Sequence, residues 1–117
     1  MDADPVSLGV ELLARVDAEE LSVAAAVDRI ETITTDPHLT RRILRVAETE
    51  GAIDRDGQRI SPNGPAVDFK AAVITKEGEF TCRRCGADIS TGYFLNLDAG
   101  EVGPFGSSCI RKVTGRE

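Results

Sequence analysis

Three cysteines carry most of the chemistry that this sequence offers. Cys82 and Cys85 sit at C-x-x-C spacing in "TCRRCG" (81–86), and Cys109 follows in "GPFGSSCIRK" (103–112). At that spacing two thiolates converge on one soft cation from a tight turn. The glycine after the second cysteine lets backbone N–H groups approach the sulfurs without a Cβ in the way. There is no fourth cysteine. With Cys109 in the first turn of a helix, a second C-x-x-C would put its partner at position 106, which is Gly106. The expectation is one structural zinc ion on Cys82, Cys85 and Cys109. Its fourth corner would be filled by Asp88, Asp98, Glu101, Ser107, Ser108, His38, water or a partner chain. Two alternatives stand beside it. The three cysteines could be buried small hydrophobes without an ion, or an open metal position or a Cys109 thiolate at a helix start could do chemistry.

The second set of functional side chains is basic. Projected at about 100° per residue, His38, Arg41, Arg42 and Arg45 fall within a sector of roughly 100°, on the side away from Leu39, Ile43, Val46 and Ala47. An apolar back and a donor-rich front are what a nucleic-acid recognition helix requires. Arg55 and Arg59 flank the tip of a hairpin just downstream. Arg83 and Arg84 lie inside the cysteine knuckle, and Arg111 and Lys112 follow Cys109, so both could add phosphate contacts from a second direction. Arginines on the outer face of an amphipathic helix are also commonly just solvated. Other chemistries lack their motifs. A zinc deaminase needs H-x-E and a proline before its C-x-x-C, whereas His38 precedes Leu39-Thr40 and Thr81 precedes Cys82. The glycines before Cys109 lack G-K-[ST]. No acid–base pair or nucleophile constellation is visible, and no enzymatic activity is expected.

The elements that must position these residues read clearly in the first sixty positions. Val6, Val10, Leu13 and Val16 share one helical face, and Val23, Val27, Ile30 and Ile33 repeat the same spacing behind Ser22 as a cap. "TTDP" caps a third helix with Pro37 at its first position, and that helix runs to Gly51. Asp56-Gly57 between short alternating segments predicts a tight hairpin. Three helices and a short hairpin are the order of a winged helix-turn-helix, assigned to residues 1–62. "SPNGPA" (61–66) reads as a linker. In 67–117, Val67, Phe69, Ala71 and Val73 alternate as a strand, Glu77-Gly78 predicts a turn, and Glu79 to Cys82 a return strand into the knuckle. Tyr93 to Leu97 reads as a strand, "DAGEVGPFG" as a glycine-rich loop, and Ser107 onward as a short helix. The fold class expected is α+β, a winged helix-turn-helix followed by a small zinc-ribbon or treble-clef-like β module.

Composition narrows the setting. The chain has 117 residues, enough for one ordinary domain or two very small ones. No apolar run is long enough for a membrane span, and the acidic start does not resemble a signal peptide, so a cytoplasmic location with reduced thiols is expected. Twenty acids oppose 14 bases, and 11 of those bases are arginine. This acid-rich, lysine-poor balance suits a salt-rich cytosol. At about 1 M salt the Debye length is roughly 3 Å, so a net charge of −6 does not exclude close contacts with nucleic acid. The acid is concentrated in residues 1–35, with 8 acids and 2 bases, while 36–60 are balanced at 5 and 5.

The stretches "VELLARV", "VDRIETITTDPHLT", "EGEFTCRRCG", "STGYF" and "GPFGSSCIRKVTGRE" together resemble a haloarchaeal family of small proteins of unassigned function. The knuckle half is also similar to a broader group of small C-x-x-C-G … G-P-x-C domains. The resemblance implies zinc binding through a three-cysteine pattern and supplies no activity. From the residues, the expected role is a small DNA- or RNA-binding protein with a structural zinc, with transcriptional regulation as one role open to it. The alternative is an adaptor that docks protein partners, using the acidic first helices.

Overall fold

The computed structural model describes residues 4–65 and 69–115. Helix α1 (Pro5–Ala14) starts at Asp4, whose carboxylate accepts from the Val6 amide and the Ser7 hydroxyl. Strand β1 (Leu21–Ser22), α2 (Val23–Ile30), α3 (Pro37–Thr49), β2 (Ile53–Asp56) and β3 (Arg59–Pro62) follow. The caps read from sequence hold. Ser22 Oγ accepts from the Ala25 amide at 3.0 Å, and Asp36 Oδ1 from the His38 amide at 2.9 Å, each satisfying a donor that the first helical turn leaves orphaned. The C-terminal half contains α4 (Phe69–Ala72), β4 (Val73–Thr81), β5 (Asp88–Leu97), β6 (Gly100–Phe105) and α5 (Ser107–Thr114). Among the described residues the result is an α+β arrangement with two antiparallel three-stranded sheets, ordered β1-β3-β2 and β4-β5-β6.

Several expectations are corrected. Strand β1 was not foreseen; two residues carry no periodicity, and only pairing with Arg59 and Ile60 of β3 defines it. In the first hairpin Asp56 pairs with Arg59, so the turn residues are Gly57-Gln58 rather than Asp56-Gly57, with Gly57 at φ 62°. Residues 69–72 are helix, not the expected alternating strand, and Val67 lies outside the described residues. Glu77-Gly78 makes no turn. Strand β4 runs through it, and the register with β5 shifts between Glu77 and Phe80, a bulge that absorbs the extra residue. The expected glycine-rich loop after Leu97 is mostly β6, because its backbone pairs with β5.

Two apolar cores form. One gathers Leu13, Val16, Leu21, Ala26, Ile30, Ile43, Leu44, Ala47, Ile53 and Ile60. The other gathers Leu8, Leu12, Leu95, Leu97, Val102, Phe105, Ile110 and Val113 with Cys82 and Cys109. Helix α1 serves both. Leu12 and Leu13 are adjacent, hence about 100° apart around the helix, and they enter different cores. Spacing alone put Val6, Val10, Leu13 and Val16 on the buried face, whereas Leu8 and Leu12 are buried as well. Each fully buried leucine contributes about 1.5–3 kcal/mol, so the second face holds α1 as firmly as the first. On its other side α1 crosses α3 closely: a Cβ at Gly9 would lie 2.7 Å from Ile43 Cδ1 and Cγ2.

Polar contacts join the halves too. Glu11 on α1 accepts from the amides of Asp98 and Ala99 in the β5–β6 turn, both at 2.8 Å. The Asp17 amide donates to Thr114 O at 2.8 Å at the end of α5. Among the described residues, no helix is long and apolar enough to cross a membrane.

Candidate metal centre and basic face

The connection between β4 and β5 is the cysteine knuckle itself. Thr81 pairs with Asp88, and the six residues between them close the hairpin. Inside it the Cys82 amide donates to Ala87 O and the Gly86 amide to Cys82 O, both at 2.9 Å. The Arg83 amide donates to Pro104 O at 2.9 Å, anchoring the knuckle to β6. Strand β6 then delivers Gly106 as the N-cap of α5, whose first turn carries Cys109. Two separate stretches of chain therefore meet at one corner.

At that corner the sulfurs of Cys82, Cys85 and Cys109 lie within 4.8 Å of one another, as free thiols. Tetrahedral zinc with Zn–S bonds of about 2.3 Å holds its sulfurs roughly 3.8 Å apart, so closing on an ion needs movements of an ångström or less. The donor set fits a soft divalent cation. Cys82 and Cys109 are buried, whereas Cys85 is exposed. Burial pushes the Cys82 thiol up, but the backbone amides of Cys85, Gly106 and Arg84 together outweigh it and bring it down to about 7. The Gly106 amide stands 3.3 Å from Cys82 Sγ. Burial also pushes the Cys109 thiol up; Arg84 opposes this, and the neighbouring Cys82 and Cys85 reinforce it. A raised thiol at Cys109 is the opposite of what an activated nucleophile needs.

Among the described residues no histidine or carboxylate joins the three thiols. His38 is exposed on α3, its Nδ1 3.3 Å from Arg41 Nη2. Glu101 pairs with Lys76 at 3.6 Å, Asp88 and Asp98 are exposed, and Ser107 and Ser108 are exposed on the first turn of α5. What stands beside the sulfurs is Arg84. Its Nη1 lies 3.7 Å from Cys109 Sγ, and its Nε donates to Asp28 Oδ2 on α2 at 2.9 Å. Sequence reasoning missed Asp28, which reads as an ordinary solvated position on α2, and nothing short of the tertiary contact marks it.

The basic residues divide into groups. His38, Arg41, Arg42 and Arg45 are all exposed on α3, while Ile43, Leu44 and Ala47 are buried behind them; Leu44 extends the apolar back beyond the four residues foreseen. Among the described residues, Arg41, Arg42 and Arg45 have no carboxylate within ion-pairing distance. Arg55 and Arg59 are exposed on the β2–β3 hairpin, Arg59 paired with Glu20 at 3.4 Å. Arg83 and Arg111 are exposed and Lys112 is half-buried. Arg84 is turned inward onto Asp28 and Cys109, so its charge is engaged within the fold.

The model of a family of unknown function, DUF5830, matches residues 5–117, and the chain belongs to that family. No curated protein matches the chain, and no solved structure does.

Proposed function

Starting from that membership, which carries no assigned activity, we propose that this is a small nucleic-acid-binding protein built on a winged helix-turn-helix, with a zinc ion as the staple of its treble-clef-like second half. The element order helix, strand, helix, helix, strand, strand, with sheet order β1-β3-β2, supports the winged reading of residues 4–62. The knuckle, the β5–β6 hairpin and Cys109 on the first turn of α5 support the treble-clef reading of the rest. Cys82, Cys85 and Cys109 would hold the zinc, which supplies cross-linking of the hairpin loop to α5.

The observation that carries the proposal is the state of α3. In a chain with 20 acids and 14 bases, Arg41, Arg42 and Arg45 are exposed on one helix with no described carboxylate within ion-pairing distance, the charge of Arg42 being felt by the Asp4 carboxylate across the α1–α3 groove. Exposed guanidiniums outside salt bridges suit phosphate oxygens and guanine edges. Arg55 and Arg59 on the hairpin would add backbone contacts beside the helix.

The test is titration of the full chain against labelled duplex DNA, single-stranded DNA and RNA across a salt series. The double reversal Arg42→Glu, Arg45→Glu is expected to abolish binding while leaving thermal unfolding unchanged. The milder pair Arg42→Gln, Arg45→Gln, which removes two phosphate contacts without adding repulsion, is expected to flatten the slope of log K against log salt by about two. A wild type that binds none of the three, or a reversal that still binds, overturns the proposal.

A second reading is favoured by the groove of about 1230 Å³ between α1, α3 and the β5–β6 turn. Val6, Val10, Leu39 and Val46 line it together with the acids Asp4, Glu11, Glu50 and Asp98, and with Arg42. A protein-docking adaptor would use this groove for a basic amphipathic segment, and it would show no nucleic-acid binding in the same titration.

A further inference from the structure

Asp28 and Arg29 are consecutive residues on α2, and they grip opposite ends of the unit that carries the thiols. Asp28 holds Arg84, which reaches Cys109 Sγ at the start of α5. Arg29 donates from Nε to Val113 O at 3.2 Å and from Nη2 to Lys112 O, at the end of α5. Its Nη1 donates to Ala25 O at 2.9 Å, which fixes the guanidinium on its own helix. The far end of α5 is thus pinned to α2 by carbonyl contacts that do not depend on the thiols. The near end is joined to α2 through Arg84.

The geometry there is suited to reporting occupancy. A guanidinium is a planar fork whose separate N–H groups can serve two anions at once. Here one edge is committed to Asp28 and another faces Cys109. A divalent cation on three thiolates leaves that corner with one net negative charge, directly beside Arg84. Without the ion, the hairpin loop and the first turn of α5 lose their common cross-link. The Arg84–Asp28 pair lies at a cleft of about 260 Å³ lined by Asp28, Glu31, Thr32, Thr35, Arg83 and Arg84, so the two halves are not packed solid here. Beyond Thr35 the chain turns directly into Asp36, the cap of α3.

We infer that occupancy of the three-thiolate site by a divalent thiophilic cation is transmitted through Arg84 and Asp28 to α2, and so sets the nucleic-acid affinity of α3. Nucleic-acid binding by α3 is the reading proposed above, and the coupling through α2 has a readout of its own.

The experiment compares zinc-loaded and chelator-stripped protein in the wild type, in Asp28→Asn and in Arg84→Lys. The second variant keeps the charge, loses the fork, and serves if the first does not fold. Two quantities are read: affinity for labelled nucleic acid, and amide hydrogen exchange of α2 and α3 without nucleic acid. In the wild type, stripping zinc is expected to weaken nucleic-acid binding about tenfold and to speed α2 exchange to a similar degree. Asp28→Asn still takes up zinc, but both responses shrink to within about twofold. The inference is overturned if the wild type takes up no zinc, if neither of its readouts responds to zinc, or if both variants respond as the wild type does. If α2 exchange responds in the wild type and not in the variants while no nucleic acid binds, the coupling stands and the nucleic-acid reading falls.

Discussion

Gly106→Cys turns the vacancy in the cysteine pattern into a measurable quantity. Position 106 is the N-cap of α5, its amide is 3.3 Å from Cys82 Sγ, and its backbone sits at φ −73°, ψ 168°, where any L-residue is at ease. A Cβ there would meet Ile89 Cγ2 at 3.6 Å, an ordinary contact. The substitution therefore strains nothing, and replacing glycine at an N-cap costs at most about 1 kcal/mol. Apparent zinc affinities of four-ligand structural sites correspond to about 10–16 kcal/mol, or roughly 3 kcal/mol per ligand. After the cap cost and displacement of whatever weaker ligand stands at the fourth corner, a gain of about 1–2 kcal/mol remains, roughly 5- to 30-fold in affinity. Competition against a chromophoric chelator measures it, and cobalt substitution checks it independently, because the sulfur-to-metal charge-transfer band grows with the number of thiolates. Gly106→Ser is the steric control. Unchanged affinity and an unchanged cobalt spectrum in a folded Gly106→Cys protein would refute the assignment of position 106 as the fourth corner.

Zinc affinity should rise with pH and change slope near 7. Above that value Cys82 is already ionised before the ion arrives, and below it one more proton must leave, whereas Cys109, pushed up, gives up its proton throughout the neutral range. The slope of log K against pH is expected to be steeper by about one below pH 7 than above it, and a constant slope from pH 6 to 8 counts against the amide-stabilised Cys82 thiolate. Gly9→Ala should destabilise the chain by about 1–3 kcal/mol in urea unfolding, although alanine is the better helix former by about 1 kcal/mol, because its Cβ would sit 2.7 Å from Ile43. Adding Ile43→Val, which removes Cδ1, should recover part of that loss, and a stabilising Gly9→Ala would show that α1 and α3 are farther apart.

What was legible in the sequence was local. Ser22 and Asp36 announce their helices because a short polar side chain before an apolar repeat satisfies orphan amides within three residues. The basic front of α3 followed from 3.6-residue geometry alone, and all four of its members are exposed. The three cysteines converge because their spacing already encodes the turn and the helix start. What failed was tertiary. Residues 69–72 alternate like a strand yet form a helix, and Glu77-Gly78 has turn chemistry that pairing with β5 overrides as a bulge. Leu8 and Leu12 gave no sign of a second buried face on α1, because the core that they enter is assembled some 80 residues later. Asp28 and Arg29 were invisible for the same reason.

Helix α1, with Leu12 in one core and Leu13 in the other, has a consequence for how the chain can be divided. A protease cutting between Pro62 and Phe69 would produce two polypeptides but not two independent proteins. The downstream piece would lack Leu8 and Leu12, which belong to the same core as Phe105 and Ile110, and the upstream piece would carry those leucines bare to solvent. Each piece alone would be sticky, and each would be the other's best-fitting partner. The nicked material should therefore elute as one species under native conditions and separate only in denaturant.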